Sequence, residues 1–260
     1  MLSHEAGEGS KSLRGQVSDA EWAVRKDLAA CYRLLNRFGM TDLIFNHISA
    51  IVPDSNHILI NAYGLLYDEI TASNLYKIDL NGQVVLEPAN CKMGVNYGGQ
   101  SIHTAIHRSR KDAFCIIHTH TRAGMALSAM DQGLLPLTQH ALRFYNQIGY
   151  HDYGGVDFGT QAEAQLAVDL GGHDALIMRN HGLLVCGPTI AEAFDNMYTL
   201  EIACKVQVDV MQSSVGMKLP AESVWEKTAI GLQRHKPVRA EKVWAALIRK
   251  LDLEEPSYST

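Results

Sequence analysis

The segment that most constrains the fold is an apolar run, Ala113 to Ile117, that ends in His118-Thr119-His120. The run predicts a buried β-strand, in which side chains at positions i and i+2 point to the same face and their Cα atoms lie about 6.5 Å apart. Two imidazoles at that spacing can converge on one metal ion at about 2.0 to 2.1 Å from each nitrogen. The alternative is a pair of histidines that hydrogen-bond backbone or carboxylate groups at a strand end.

The composition is typical of one domain with tails. The 260 residues, 47% of them hydrophobic, are enough to bury a sizeable core. A formal net charge of -5 gives no broad basic face, so no nucleic-acid partner is expected. Because no apolar stretch reaches the roughly 18 residues of a membrane span and the first residues lack a signal-peptide core, we expect no membrane partner and a cytoplasmic location.

The chain is expected to divide into a flexible N-terminal tail at residues 1–17, a main domain at 18–215 and a C-terminal helical extension at 216–260. The last few residues are expected to be disordered. The five cysteines are scattered and form no Cys-x-x-Cys motif, which favours buried free thiols over disulfides or a zinc knuckle.

Local signals predict a mixture of helices and hairpins. Ser18 with Glu21 and Thr189 with Glu192 are capping boxes that each open a helix. Asn81-Gly82 between two short apolar runs is a strong signal for a β-hairpin. The predicted helices comprise residues 18–39, 102–109, 122–130, 160–170, 189–211 and 240–251, and the predicted strands comprise residues 43–52, 57–62, 76–80, 83–87, 113–118, 175–178 and 183–186.

A third histidine, His181, lies in the predicted turn Arg179-Asn180-His181-Gly182 between two strands. With His118 and His120 it would supply three nitrogen ligands, the usual protein complement of a catalytic zinc that keeps one position open. The alternative is that His181 only satisfies hydrogen bonds in a tight turn.

Several segments resemble the class II aldolase/adducin family, most closely its adducin-like branch. They span about residues 20 to 212 in the family's order and spacing, and they comprise FNHIS (Phe45 to Ser49), NAYGLLYDEIT (Asn61 to Thr71), SIHTAIHRSRKDAFCIIHTHTRAG (Ser101 to Gly124), GLLPL (Gly133 to Leu137) and RNHGLL (Arg179 to Leu184). The resemblance implies an α/β fold, a three-layer α/β/α sandwich with a mainly antiparallel central sheet. It also implies a homotetramer with zinc sites at the subunit interfaces.

The resemblance further implies the ligands of the metal. His118 and His120 match the family's paired histidine ligands, and His181 matches the distant one, so one zinc ion per subunit is expected. Manganese, cobalt, nickel or iron(II) would also suit three neutral imidazoles.

Three residues match positions near the family's substrate pocket, namely Asn46, Gly64 and His103, although His103 could instead pack or position its helix. The chain departs from the family at its acid. Sugar-phosphate aldolases and epimerases carry Ser-Ser-Glu or Ser-Ser-Asp where this chain has Tyr97-Gly98-Gly99. Because glycine cannot transfer a proton, the catalytic residues are unknown, and the loss of the acid would lower the rate by about 10²- to 10⁴-fold. The missing serines make a phosphorylated sugar a less expected substrate.

Other polar residues could replace the acid, although each has a structural role as its alternative. They are Asp68, Glu69, Gln100, Tyr145, Tyr150, His151, Asp152 and Tyr153. The expected function is a zinc-dependent class II aldolase-type lyase acting on a small carbonyl or hydroxy-acid substrate. The alternatives are a catalytically silent adducin-like binding or scaffold module and a decarboxylase or dehydratase.

Overall fold

The computed structural model describes residues 12–88, 91–155, 159–213 and 215–260. The strands in this part of the chain are β1 (His47–Ile51), β2 (His57–Ile60), β3 (Tyr76–Asp79), β4 (Val84–Leu86), β5 (Cys115–Thr119), β6 (Ile148–His151), β7 (Ala175–Met178) and β8 (Gly182–Gly187). They form one sheet in the order β4-β3-β2-β1-β5-β8-β7-β6. Neighbouring strands are antiparallel except β6 and β7, which are parallel.

The helices cover both faces of this sheet. They are α1 (Asp19–Arg37), α2 (Tyr97–Ser109), α3 (Arg122–Ser128), α4 (Gln139–Leu142), α5 (Thr160–Leu170), α6 (Ile190–Gln212), α7 (Trp225–Arg234) and α8 (Lys236–Glu254). Ile117 and Val185 belong to the core cluster that contains α1 and α6, whereas Ile116 and Leu184 belong to the cluster with α2 and α5. Because adjacent strand residues point to opposite faces, the sheet lies between two helical layers, and the predicted α/β/α sandwich is confirmed.

The local signals in the sequence operate as expected. Ser18 Oγ accepts the N–H of Glu21 at 3.1 Å, and Thr189 Oγ1 accepts the N–H of Glu192 at 3.1 Å. Gly82 has a φ of 84°, which its missing Cβ permits, and it turns the chain between β3 and β4. These interactions satisfy backbone groups at helix and strand ends that would otherwise lack partners.

Several elements differ from the expectation. Residues 43–46 were expected in the first strand, but residues 43 and 44 form a turn, in which Leu43 has a φ of 47°, and β1 begins only at His47. Strand β6 was not predicted. The expected disorder at the C-terminus is wrong, because Tyr258 is only 5% exposed and its carbonyl oxygen accepts the N–H of Ala72 at 2.8 Å.

The domain division stays a prediction. Residues 1–11 of the expected tail lie outside the described residues, and Leu13 is only 1% exposed in a small cluster with Trp22. Beyond residue 215, α8 packs against α6, where the rings of Phe194 and Trp244 lie 5.8 Å apart.

No helix in the described part of the chain is long and apolar enough to cross a membrane.

We expect Gly149 in β6 to be essential for the packing of α5. A Cβ at this position would lie 2.2 Å from the carbonyl oxygen of Asp169, so the strand or the helix would have to move. Gly149→Ala should lower the free energy of unfolding by about 1 to 3 kcal/mol, the usual cost of overpacking, as measured by urea denaturation. Gly172→Ala is the control, because a Cβ there would have nothing within 4 Å. Equal stability of the two variants would contradict the packing argument.

Candidate metal centre

The centre lies where β5 ends beside the turn between β7 and β8. His118 is the fourth residue of β5, and His120 follows the strand directly. Antiparallel pairing of Thr119 with Leu183 brings the turn that carries His181 to the same end of the sheet. The sequence-based expectation that these three histidines meet therefore agrees with the geometry.

The three Nε2 atoms form a small triangle. The distance is 2.8 Å between those of His118 and His120, 3.0 Å between those of His120 and His181, and 3.3 Å between those of His118 and His181. Four ligands arranged tetrahedrally at 2.0 to 2.1 Å from a zinc ion would place their nitrogens about 3.3 Å apart. The spacing of this cluster, which we call the His triad, is close to that value.

The outer nitrogens of two rings are held by acceptors. His118 Nδ1 lies 2.9 Å from the carbonyl oxygen of Leu183, and His120 Nδ1 lies 3.3 Å from the carboxylate of Asp42. Each Nδ1 therefore carries the proton, and each Nε2 presents a lone pair to the centre. Two lone pairs at 2.8 Å repel unless a cation lies between them. The donor set thus fits a divalent metal ion.

Burial keeps the triad in the neutral form that binds metals. It lowers the pKa of the His118 imidazole well below its ordinary value, and the neighbouring imidazoles of the site lower it further. Burial also lowers the pKa of His120, against the opposing effect of Asp42, and that of His181 to about 4. All three rings are therefore neutral at pH 7, the ligand form of histidine.

The three residues that match the family's substrate pocket, Asn46, Gly64 and His103, lie in different surroundings. Asn46 is 1% exposed, and within the described residues neither atom of its amide has a hydrogen-bond partner. Gly64 has a φ of 117°, and a Cβ there would lie 3.2 Å from Met93 Sδ. His103 is fully buried and bonds the His47 ring rather than joining the triad.

Position 99, where the family acid would stand, is filled by the ring of His47. Gly99 lies in the first turn of α2, which begins at Tyr97 because the Asn96 side chain accepts the N–H groups of Gly98 and Gly99. A Cβ on Gly99 would lie 2.4 Å from His47 Cδ2. Sequence reasoning missed His47, although it lies inside the FNHIS segment, and the pairing of β1 with β5 sets it opposite His118.

Some of the predicted substitutes for the acid make structural contacts, whereas His151, Asp152 and Tyr153 line a cleft beside His181. Glu69 accepts the N–H of Leu66 at 2.8 Å, and the Tyr150 hydroxyl accepts that of Leu134 at 3.1 Å. Gln100 lies against the turn at Gly82, the Tyr145 ring packs on Trp225, and His151 hydrogen-bonds Asp169. Asp68, Asp152 and Tyr153 are exposed. Within the described residues, the carboxylate that hydrogen-bonds a ring of the triad is that of Asp42, which sequence reasoning also missed.

A cleft opens beside His181. Its volume is about 490 Å³ including the space open to solvent, and its lining includes His151, Tyr153, Glu163 and Arg179. The Arg179 guanidinium lies over the Tyr150 ring at 4.5 Å. The cleft opens beside one ligand of the triad, His181.

Known proteins resemble the whole chain. The family model for the class II aldolase and adducin N-terminal domain matches residues 26–208. A Pseudomonas aeruginosa protein provisionally named an aldolase class 2 protein is 44% identical, and the alignment covers 95% of each chain. Rattus norvegicus alpha-adducin is 39% identical, and the alignment covers 92% of this chain and 35% of the adducin. A crystal structure of an aldolase II superfamily protein from Pseudomonas syringae has a TM-score of 0.91 and 40% identity, covering 95% of this chain and 99% of that one.

We expect Asp42 to strengthen metal binding through His120. Asp42→Asn removes the negative charge that orients the imidazole, so zinc affinity should fall by about 10- to 100-fold in a competition titration with a chromophoric chelator. Asp54→Asn is the matched control, because Asp54 is exposed in the turn after β1 and its φ of 55° suits asparagine. Unchanged affinity in Asp42→Asn would contradict this role.

Proposed function

Because this chain belongs to the class II aldolase and adducin family, we propose that it is a metal-dependent lyase of the class II aldolase type. Its substrate is a small carbonyl or hydroxy-acid compound. The observation that carries the proposal is the convergence of three Nε2 atoms within 2.8 to 3.3 Å of one another. A divalent ion held by that arrangement would stabilise the negative charge that develops when a carbon-carbon bond breaks.

His118, His120 and His181 hold the metal in this proposal. Three neutral imidazoles favour zinc, and they also suit manganese, cobalt, nickel or iron(II). When bound, the ion supplies a Lewis acid for a substrate oxygen. Leu183 and Asp42 orient the first two rings, so the ligands are arranged before the ion arrives.

Asn46 binds the substrate in this proposal. Its amide is buried without a partner in the described part of the chain, and such groups usually meet a ligand or a water. A phosphorylated sugar is disfavoured, because Tyr97 and Gly98 stand where the sugar-phosphate enzymes have serines. We place the reaction in the cytoplasm.

An adducin-like binding module is the second candidate function. Gly99 supports this candidate, since the family acid is absent. The 39% identity to alpha-adducin supports it as well, although the alignment covers only 35% of the adducin. Such a module would keep the fold and the metal without turnover.

Metal analysis tests the proposed centre. Protein purified without added metal should contain about one divalent ion per chain by inductively coupled plasma mass spectrometry. Replacing His118, His120 and His181 together by alanine should remove it, because no imidazole of the triad is left. Replacing His57, His140 and His173 together is the control, since these histidines lie outside the triad. Stoichiometric metal in the triad variant would refute the assignment.

An activity screen separates the enzyme from the binding module. The metal-loaded protein is incubated with aldols, hydroxy acids and β-keto acids, and products are followed by NMR. Cleavage that the triad variant lacks is the expected result. Bound metal without turnover of any compound would favour the module.

We further propose a homotetramer with the centre near a subunit interface. Four apolar residues close to the centre in sequence are exposed, namely Leu43 (66%), Phe45 (43%), Tyr97 (71%) and Met125 (41%). Exposed apolar side chains of this size favour a contact with another chain when they form one patch.

Tyr97→Asp should therefore reduce the assembly to smaller species, because it places a charge in the proposed contact. Size-exclusion chromatography with light scattering measures the mass. Val168→Asp is the control, as Val168 is equally exposed at 71% and lies on α5. A monomeric wild-type protein would rule out the tetramer.

A further inference from the structure

A second cleft lies among the helices on the α6 side of the sheet. Its volume is about 280 Å³, and since one water needs about 10 to 15 Å³ of such space, a small organic molecule has room there. We call it the arginine cleft. Its lining includes Arg143 after α4, Asp195 and Tyr198 on α6, Leu232 on α7, and Arg239 and Val243 on α8.

Two guanidinium groups of the arginine cleft share one carboxylate oxygen. Asp195 Oδ2 lies 2.8 Å from Arg143 Nη2, 3.2 Å from Arg239 Nη2 and 3.3 Å from Arg239 Nε. Among the described residues that line the cleft, Asp195 is the one carboxylate. One negative charge therefore faces two positive charges, and the lining attracts an anion.

A third cation holds two carboxylates of the neighbourhood. Lys236 Nζ lies 2.8 Å from Asp174 Oδ2 and 3.8 Å from Glu192 Oε2. These two carboxylates exceed their lysine by one negative charge, but neither of them lines the arginine cleft. A molecule in the cleft therefore meets the two guanidinium groups and not these carboxylates.

The positive charge of Arg143 is only partly compensated by the protein. Burial lowers the pKa of its guanidinium below the ordinary value, and the charge of Arg239 lowers it further. Asp195 and Asp174 oppose this effect without cancelling it. Because Arg143 is 3% exposed and donates to Thr199 Oγ1 at 2.7 Å, it supplies charge to the cleft rather than a free donor.

Arg239 supplies the free donors. A guanidinium has five N–H groups. The hydrogen bonds of Arg239 to Asp195 and to the carbonyl oxygen of Leu232 use one N–H on each of its three nitrogens. Within the described residues, one N–H on Nη1 and one on Nη2 therefore have no protein partner. The side chain is 31% exposed, and paired N–H groups of a guanidinium suit the two oxygens of a carboxylate.

The arginine cleft also has an apolar wall. Tyr198, Leu232 and Val243 line it beside the two arginines, and the Tyr198 ring is held against Phe38 at 5.1 Å. Small-molecule sites typically combine apolar walls with a few polar groups that fix the orientation of the ligand. An inorganic anion would leave this wall in contact with water, whereas an organic acid would cover it.

The sheet separates the arginine cleft from the ring of His118. His118 lies two residues after Ile116, which packs in the cluster with α2 and α5, so both side chains face that layer. Thr119 points the other way, and its Oγ1 lies 3.4 Å from Met197 Sδ on α6. A ligand among α6, α7 and α8 therefore lies on the other face of the sheet.

We propose that the arginine cleft is a binding site for a small organic acid, separate from the metal centre. Arg239 binds the carboxylate, Arg143 adds a second positive charge, and the apolar wall contacts the rest of the molecule. The site goes beyond the proposed function and does not depend on it, since it shares no residue with the triad.

Binding is tested with benzoate and hexanoate, each of which joins a carboxylate to an apolar body. Titration calorimetry on the full chain should show saturable binding of one acid per chain. The melting temperature should rise with the concentration of acid, because the ligand binds the folded form. Benzyl alcohol, which lacks the charge, should do neither. Failure of both acids to bind would overturn the proposal.

Arg239→Gln should weaken the binding of both acids by about 10- to 100-fold, since it removes a charged hydrogen-bond donor. Arg249→Gln is the matched control, because Arg249 is exposed on the same helix and lies outside the cleft. Circular dichroism checks that both variants are folded. Equal affinity of the two variants would contradict the role of Arg239.

Val243→Asp tests the cleft without removing an ion pair. Val243 is 38% exposed on the apolar wall, and an aspartate there would repel the carboxylate, so both acids should bind at least about 10-fold more weakly. Val238→Asp is the control, as Val238 is 56% exposed on the same helix and lies outside the cleft. Binding that survives both Arg239→Gln and Val243→Asp would lie elsewhere and would overturn the proposal.

The triad variant distinguishes this site from the metal centre. Protein with His118, His120 and His181 replaced by alanine should bind both acids as the wild type does, whatever the outcome of the activity screen. Loss of binding in that variant would place the acids at the metal centre and overturn the proposal. Binding of inorganic phosphate without binding of either acid would overturn the assignment of an organic acid.

Discussion

The antiparallel pairing of β5 with β1 on one side and with β8 on the other determines the whole site. It sets His47 opposite His118 and Thr119 opposite Leu183, the second residue after His181. A slip of one residue would turn every side chain of β5 to the other face of the sheet. The register is held because Ile116 and Ile117 pack into different cores on the two faces. The two helical layers thus specify the geometry of the triad.

Several polar groups are buried around β1, β5 and α2. His103, His107, His118 and Ser49 are at most 1% exposed, and each of them forms hydrogen bonds. Buried polar groups cost about 1 to 3 kcal/mol each when they are unpaired. His103, Ser49 and His107 are tolerated because their hydrogen bonds continue from one to the next and end at the carbonyl oxygen of Ala113. Gly99 contributes by leaving room for the His47 imidazole between α2 and β1. The apolar packing of α2 and these buried hydrogen bonds are therefore parts of one arrangement.

The sequence allowed prediction of those features that depend on short spacings. The convergence of His118 with His120 follows from strand periodicity, and the hairpin at Gly82 follows from the conformational freedom of glycine. Asp42 could not be found in this way, because it is 78 residues from His120 and reaches it only through the fold. Strand β6 was not predicted, because it has only four residues, one of them is a glycine, and the strand pairs in parallel with β7. Pairing between distant segments leaves no local pattern to recognise.

The missing acid and the buried His47 are two aspects of the same feature. A side chain at position 99 and the ring of His47 would occupy the same space, since the Cβ would lie 2.4 Å from Cδ2, so the chain can hold one or the other. The exchange also changes the charge. With a divalent ion bound at the triad, a neutral imidazole would leave the centre with one more positive charge than a carboxylate would, and this would favour a substrate that carries its own carboxylate. Among the proposed substrates, that reasoning favours hydroxy acids over uncharged carbonyl compounds.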